Sequence, residues 1–218
     1  MPGIGVIFDC DGTLLDTMEM WHEVESELAR EAGIEVTPDL VKELATLTLP
    51  EVAALFHGRF GLGSAEDEVL GMIQEMAVYQ YRTNAVPRPG ALETVRALVE
   101  AGAICSVASS SSQEMLQAGL DRAGFLPMLE SVWSVDDVGA SKREPAVYDA
   151  ARDSMGTAKE LTWGAEDAIY AVRTLNAAGY RSVGIYDCDG SGTWEELQAE
   201  ATLPILTWEG FDIRKLGA

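Results

Sequence analysis

Basic side chains are scarce in this chain of 218 residues. Fifteen lysines and arginines stand against 36 aspartates and glutamates, for a net charge of −21. Nucleic acid and anionic membrane surfaces bind proteins through a basic face, so neither is an expected partner. Cysteine is scarce as well: Cys10, Cys105 and Cys188 are odd in number, scattered and without C-x-x-C spacing. That argues against a disulfide framework or a zinc site and for a reducing, cytoplasmic setting. No apolar run approaches the roughly 20 residues of a bilayer-spanning helix. Nor does the N-terminus show a charged segment followed by an apolar one. The two histidines, His22 and His57, are isolated; surface or half-buried helix positions suit them better than a metal or catalytic role.

What is present is enough apolar content, 47%, for a globular core, in a length that suits one large domain or a domain with a modest insertion. The densest chemistry lies at the start. Val6-Ile7-Phe8 is a short apolar run of the kind that forms a strand buried on both faces. It stops at Asp9 and Asp11, followed at once by Gly12, which permits a sharp departure from the sheet. Alternate residues of an extended chain point the same way, so the two aspartates start on one side of the strand end. Carboxylates held that close repel, and a shared proton or a hard cation such as Mg²⁺ relieves them. A strand with an ordinary Asp-Gly turn would read similarly. However, D-x-D-G-T-[LV] arises by chance in only roughly one chain in a few thousand of this length.

After Asp16-Thr17 the period changes to that of helices. Trp21, Val24 and Leu28 share a face, with Gly33 beyond it. Thr37-Pro38 reads as an N-cap and first helical residue, and Pro50 opens a segment carrying Val52, Leu55 and Phe56. Ser64, with Asp67 three residues on, starts a longer helix through Val69, Ile73 and Met76. Residues 18–86 thus read as all-helical. Alternation then resumes, with strands predicted at Ile104–Ala108, Ser131–Ser134, Leu161–Ala165, Arg181–Tyr186 and Leu203–Leu206. The intervening helices include Ala146–Met155, Ala168–Ala178 and one near Trp194–Ala199. This pattern predicts an α/β fold: a doubly wound, mostly parallel, Rossmann-like sheet, residues 1–17 and 87–218, with an all-helical insertion at 18–86.

In such a sheet the ligand crevice lies beyond the carboxyl ends of the strands. Asp9 and Asp11 fall there after the first strand, Ser109 after the second and Lys142 shortly after the third. Glu166-Asp167 ends the fourth. Singly, each has a commoner use: a helix-capping serine run, a solvated lysine, first-turn acids at a helix dipole. Jointly they supply a carboxylate nucleophile, a hydroxyl, an ammonium and carboxylates for a cation, the groups phosphoryl transfer requires. Asp187-x-Asp189-x-Ser191-Gly192 looks like the start of a Ca²⁺ loop, but its twelfth position is Gln198 and a strand precedes it.

The first motif together with Ser109, Lys142 and Glu166-Asp167 resembles the four motifs of the haloacid dehalogenase-like superfamily. The likeness spans nearly the whole chain and points to the helical-cap subgroup that includes β-phosphoglucomutase-like and phosphoglycolate-phosphatase-like members. It implies Asp9 as nucleophile, Asp11 as general acid and base, and Ser109 and Lys142 as ligands of the transferring phosphoryl group. It also implies Mg²⁺ held by Asp9, the backbone carbonyl of Asp11, and Asp167, with Glu166 beside them. Two flanks depart from the usual pattern: Lys142-Arg143-Glu144-Pro145-Ala146 replaces K-P-x-P-D, and Glu166-Asp167-Ala168 replaces E-D-S. Where mutase-like members carry an arginine in G-x-S-R, this chain has Thr46-Leu47-Thr48-Leu49-Pro50-Glu51, without a cation. The expectation is therefore a Mg²⁺-dependent phosphatase for a small phosphorylated metabolite, acting as a monomer. Its cap would contribute Trp21, Thr46 and Thr48 as substrate contacts, and Ser110 would add another from the core. A sugar phosphomutase and a non-catalytic phosphometabolite-binding protein are the competing expectations.

Overall fold

The structure, a computed structural model, describes residues 1–44, 47–188 and 192–217. Thr46 lies outside the described residues, as do Asp189 and Ser191 of the calcium-loop-like run. The chain divides into two compact units, Met1–Thr17 with Ala85–Ala218, and Met18–Asn84.

The first unit begins with strand β1 (Gly5–Phe8), buried along its whole length as its apolar run requires. A two-residue strand, β2 (Leu15–Asp16), follows the turn. The chain then enters the second unit, made of helices α1 (Met18–Glu31), α2 (Pro38–Leu44), α3 (Leu49–Phe60) and α4 (Glu66–Asn84). It returns through β3 (Val86–Pro87), which pairs antiparallel with β2, Leu15 opposite Pro87 and Asp16 opposite Val86. Then come α5 (Ala91–Glu100), β4 (Ile104–Ser109), α6 (Gln113–Arg122), β5 (Ser131–Ser134), α7 (Val135–Val138) and α8 (Ala146–Met155). β6 (Thr162–Glu166), α9 (Ile169–Ala177), β7 (Arg181–Ile185), α10 (Trp194–Glu200) and β8 (Leu203–Ile205) complete the sequence.

Six strands form one sheet in the order β5-β4-β1-β6-β7-β8, and neighbouring strands within it pair parallel. The strand order reverses direction between β1 and β6, which makes their carboxyl ends the switch point where open α/β sheets bind ligands. Ile7, Ala108, Val147, Tyr148, Ala151, Met155 and Leu175 form one cluster of the core. Each of the larger aliphatic side chains among them, Ile7, Val147, Met155 and Leu175, is worth roughly 1.5–3 kcal/mol when withdrawn from water. On β1, Phe8 meets Trp208 edge-on at 5.8 Å, and Trp208 Nε1 donates to the carbonyl of Thr13 at 2.8 Å. The turn that follows β1 is thereby tied to the C-terminal segment.

In the helical unit α4 packs against α1 and α3, burying Val24, Leu28, Phe56, Val69, Ile73 and Tyr81. The Thr37 hydroxyl accepts from the backbone N–H of Leu40 at 3.2 Å, capping α2 as its sequence predicts. Ser64 departs from the predicted pairing with Asp67. Its N–H and hydroxyl both donate to Glu68, each at 2.6 Å, because α4 begins at Glu66, two residues later than Ser64 alone would set it. The remaining predicted elements are present with ends shifted by a residue or so, and Ala146–Met155 runs between the predicted limits. The β2–β3 ribbon and α7 carry no legible period at two and four residues, and the sequence did not predict them.

Candidate active site at the carboxyl ends of the sheet

Asp9 directly follows β1, and its backbone N–H still donates to Ala165 of β6 at 2.9 Å. Beyond it the chain reverses tightly. The Cys10 carbonyl accepts from the N–H groups of Leu14 and Leu15, and the Gly12 N–H donates to Leu15 at 2.9 Å. Gly12 has φ +74°, and a Cβ there would lie 2.6 Å from Asp167 Oδ2. No other residue fits both that backbone conformation and that approach. Cys10, between the two aspartates, is fully buried. Its thiol is pushed well above the usual range, first by burial and then by the charges of Asp11 and Asp9, so it is no nucleophile.

Four charged side chains converge here. Lys142, only 3% exposed, donates from Nζ to Asp9 Oδ1 and, at 2.8 Å, to Glu166 Oε1. The hydroxyl of Tyr148 donates to the same Glu166 oxygen at 2.8 Å. Asp9, Glu166 and Asp167 each bring one carboxylate oxygen to within 4.8 Å of the others. Burial works against the Lys142 ammonium, but Asp9 and Glu166 outweigh it and hold the ammonium charged well above its ordinary range. For Glu166, burial dominates and pushes the carboxyl up to about 7 against the pull of Lys142. Asp167 is raised well above the usual carboxylate range by burial and then by the charges of Asp9 and Glu166. One ammonium therefore does not balance three acids in a site closed to water.

These donors fit a hard divalent cation. Three carboxylate oxygens face one another at short range, and Glu166 Oε2, fully buried, has no hydrogen-bond partner in the structure. Oxygen donors of this kind suit Mg²⁺ or a similar ion, whose charge would bring the raised carboxyls back to their ionised forms.

The other predicted residues sit as follows. Ser109 ends β4, buried, its hydroxyl accepting from the backbone N–H of Ser111 at 3.1 Å. Asp11 is half-buried and turns its side chain to Ser111, whose hydroxyl donates to Asp11 Oδ2 at 2.6 Å. Ser110 is exposed. In the helical unit Trp21 packs edge-on against Tyr81 at 6.2 Å. The Thr48 N–H and hydroxyl both donate to Glu51 at the start of α3, at 2.7 and 2.8 Å. Ser111, Tyr148 and Arg88 join the network without having been singled out from the sequence, and Asp187, read there only as the start of a calcium-loop-like run, joins it as the partner of Arg88. Of the first three, only Ser111 had a legible signal, its place in the serine run opening α6. The E-D-A departure has a visible effect as well: Ala168 stands at the N-cap of α9 with no side-chain bond to offer.

A Rossmann-ordered sheet whose switch point carries paired acids and a buried lysine defines a phosphoryl-transfer class of enzyme. The sequence profile of the haloacid dehalogenase-like hydrolases matches residues 5–179, and the chain belongs to that family. Among curated proteins it is 24% identical to validoxylamine A 7'-phosphate phosphatase of Streptomyces hygroscopicus subsp. limoneus, over 82% of this chain and 84% of that one. It is equally 24% identical to hexitol phosphatase B of Escherichia coli (strain K12), over 83% and 82%. Among solved structures, the putative β-phosphoglucomutase from Thermotoga maritima superposes with a TM-score of 0.83 at 20% identity, covering 99% of both chains, a likeness of fold. The chain is an enzyme, a hydrolase of the phosphatase kind. No described helix is long and apolar enough to cross a membrane.

Proposed function

We propose that the enzyme is a Mg²⁺-dependent phosphomonoesterase for a small sugar or polyol phosphate, working through an aspartyl-phosphate. One observation carries this reading. Lys142 bridges Asp9 and Glu166 in a buried site where three acid oxygens, Asp167's among them, lie within 4.8 Å of one another. Mg²⁺ held by Asp9, Glu166, Asp167 and the Asp11 carbonyl would neutralise the acids and draw charge from the phosphoryl oxygens.

Asp9 is the nucleophile. Its free carboxylate oxygen attacks phosphorus while the ester oxygen leaves, taking a proton from Asp11. Lys142 holds the other Asp9 oxygen, orients the carboxylate, and offers its charge to the incoming phosphoryl group. Ser109, buried at the end of β4, adds a hydroxyl donor. In the second half, Asp11 takes a proton from water as that water attacks the aspartyl-phosphate, returning Asp9 and releasing phosphate. Ser111 holds the Asp11 carboxylate by the short hydroxyl bond.

The helical insertion, residues 18–86 in this reading, serves as the cap that chooses the leaving alcohol. The phosphatase names of the relatives, one acting on hexitol phosphates, favour a polyhydroxylated alcohol. The absence of a cation between Thr46 and Glu51 favours hydrolysis over a mutase, which must clamp a second phosphate. The test is a phosphate-release screen over sugar, polyol, nucleotide and glycolytic phosphates, with and without Mg²⁺. Release that needs Mg²⁺ and vanishes in Asp9→Asn is the expected result. Interconversion of a sugar 1-phosphate and 6-phosphate, accelerated by the bisphosphate, would replace this reading with the mutase one. Tight binding without turnover across the panel would replace it with the non-catalytic one.

A further inference from the structure

Arg88 directly follows β3, where the chain has just returned from the helical unit, and its side chain reaches the turn after β1. Its backbone N–H donates to the Leu14 carbonyl at 2.8 Å. One terminal nitrogen of its guanidinium donates to the Gly12 carbonyl and to Asp187, and the other donates to the Tyr186 carbonyl at 3.0 Å. Arg88 and Asp187 are 15% and 9% exposed in their side chains, so the pair is largely withdrawn from water and little screened. A single planar fork thus ties the turn carrying Asp11 to the segment following β7, a geometry an ammonium does not reproduce.

Other bonds hold the turn at Cys10, Asp11 and Thr13, and Arg88 holds it at Gly12. Gly12 lies in the left-handed region, where a residue without a Cβ has wide freedom, so its conformation depends on what holds its peptide groups. Its N–H is held by Leu15 and its carbonyl by Arg88. Together these fix the two peptides on either side of the Gly12 Cα, Asp11–Gly12 through its N–H and Gly12–Thr13 through its carbonyl, and so the φ and ψ with which the chain leaves Asp11. Asp187 adds a second consideration. A Cβ on Gly12 would meet Asp167 Oδ2 at 2.6 Å and Asp187 Oδ2 at 3.4 Å, so both acids crowd the same turn. The guanidinium neutralises Asp187 there, where a bare carboxylate would add to the acid cluster.

We propose that Arg88 is a positioning residue for the reaction: it acts through the Gly12 carbonyl and Asp187 to hold the Asp11–Gly12 turn in its working shape. The inference rests on the phosphatase reading for its kinetic consequence, but not for the tie itself. The test compares the full chain with Arg88→Met and Arg88→Lys, using p-nitrophenyl phosphate with Mg²⁺ and, separately, amide hydrogen exchange. In Arg88→Met, kcat is expected to fall about 10–100-fold. KM should stay within about twofold, because the lost interaction does not touch the ester. Exchange at the amides of Gly12, Leu14 and Leu15 should quicken while those of β4 hold. Arg88→Lys keeps the charge beside Asp187 but not the fork, and is expected to fall between the two. The proposal is overturned by an Arg88→Met variant whose kcat is unchanged, or whose KM alone rises. It is equally overturned by exchange that quickens as much in β4 as in the turn, which would mean general loosening. Should the unsubstituted chain cleave no phosphate ester, the phosphatase reading fails, and the exchange comparison alone decides whether Arg88 holds the turn.

Discussion

In the helical unit Arg59 meets Glu43 at 2.6 Å and Arg30 meets Glu27 at 2.9 Å, and each of these four side chains is more than a third exposed. At the carboxyl end of the sheet Lys142, Asp9 and Glu166 meet with side chains 3%, 8% and 1% exposed. The chemistry of the pairs is alike, but the consequences differ. Exposed pairs in high dielectric contribute little, and salt screens what they do contribute. Buried ones cost several kcal/mol of desolvation per ion before any attraction is counted. A chain with 36 acids has ample surface on which to leave three of them. Placing Asp9 and Glu166 in the interior and Asp167 half-buried around one lysine is an arrangement stability alone would not select.

Substitutions on the two sides of this contrast should behave differently, and the largest effect belongs to Asp9→Asn. It removes the oxygen that attacks in the proposed mechanism, and turnover of p-nitrophenyl phosphate is expected to fall by about 10⁴-fold or more. Substantial residual rate in a purified, folded variant would transfer the nucleophile's role elsewhere. Lys142→Met comes next. It leaves Asp9 and Glu166 buried without their shared cation, and urea unfolding should show a loss of about 3–5 kcal/mol together with loss of activity. A variant as stable as its parent would place the buried and exposed pairs on the same footing.

The third prediction concerns pH in chelator-treated protein. The Glu166 carboxyl is raised from 4.5 to about 7 by burial. The folded state therefore holds that proton more tightly than the unfolded chain does. Glu166 then contributes stability that is full below about pH 4.5 and is lost as the pH climbs to about 7, with a ceiling of about 3 kcal/mol. Asp167, raised by burial as well, acts in the same direction. Asp212, drawn down to about 2 chiefly by its hydrogen bonds from Arg214, changes stability only at more acid pH. The melting temperature should therefore fall between about pH 5 and pH 7.5, and the fall should flatten in Glu166→Gln. Added Mg²⁺ should raise the melting temperature by more as pH increases, since the cation binds the ionised carboxylates. A profile identical in parent and Glu166→Gln would remove Glu166 from the balance.

The smallest effects lie in the helical unit. Thr48→Ala removes the hydroxyl that donates to Glu51 at the head of α3. A loss of about 2–4 °C in melting temperature with unchanged kinetics is expected. A raised KM instead would give Thr48 the substrate contact its sequence position suggests. Arg59→Ala should change neither stability nor rate measurably.

How far the sequence carried differs in the same way between the two regions. Asp9, Lys142, Glu166 and Asp167 were legible because the residues that meet in space each follow a strand, and the strands announce themselves by short apolar runs. Parallel connectivity then puts their ends on one side. Neither Arg88 nor the part Asp187 plays was legible, although Asp187 stands in the calcium-loop-like run. Their partners lie 76 and 99 residues apart in the chain, and an arginine in Pro87-Arg88-Pro89-Gly90 reads as punctuation until the fold brings it against Gly12 and Asp187. Tyr148 was hidden differently. It occupies an apolar position on α8, and its hydroxyl becomes informative only once Glu166 is seen beside it. In the helical unit the elements were legible from period and caps, but the proposed substrate contacts Trp21, Thr46 and Thr48 carry no chemical mark of their own.

The short ribbon of β2 and β3 has a consequence for how such an enzyme changes over evolutionary time. With Leu15 opposite Pro87 and Asp16 opposite Val86, the chain leaves and re-enters the core through two neighbouring backbones. Lengthening, shortening or exchanging what lies between them leaves the closure where it was, so the added entropy of a longer excursion grows only slowly with its length. The excursion can then be replaced wholesale while the sheet and the acids at its edge are inherited intact.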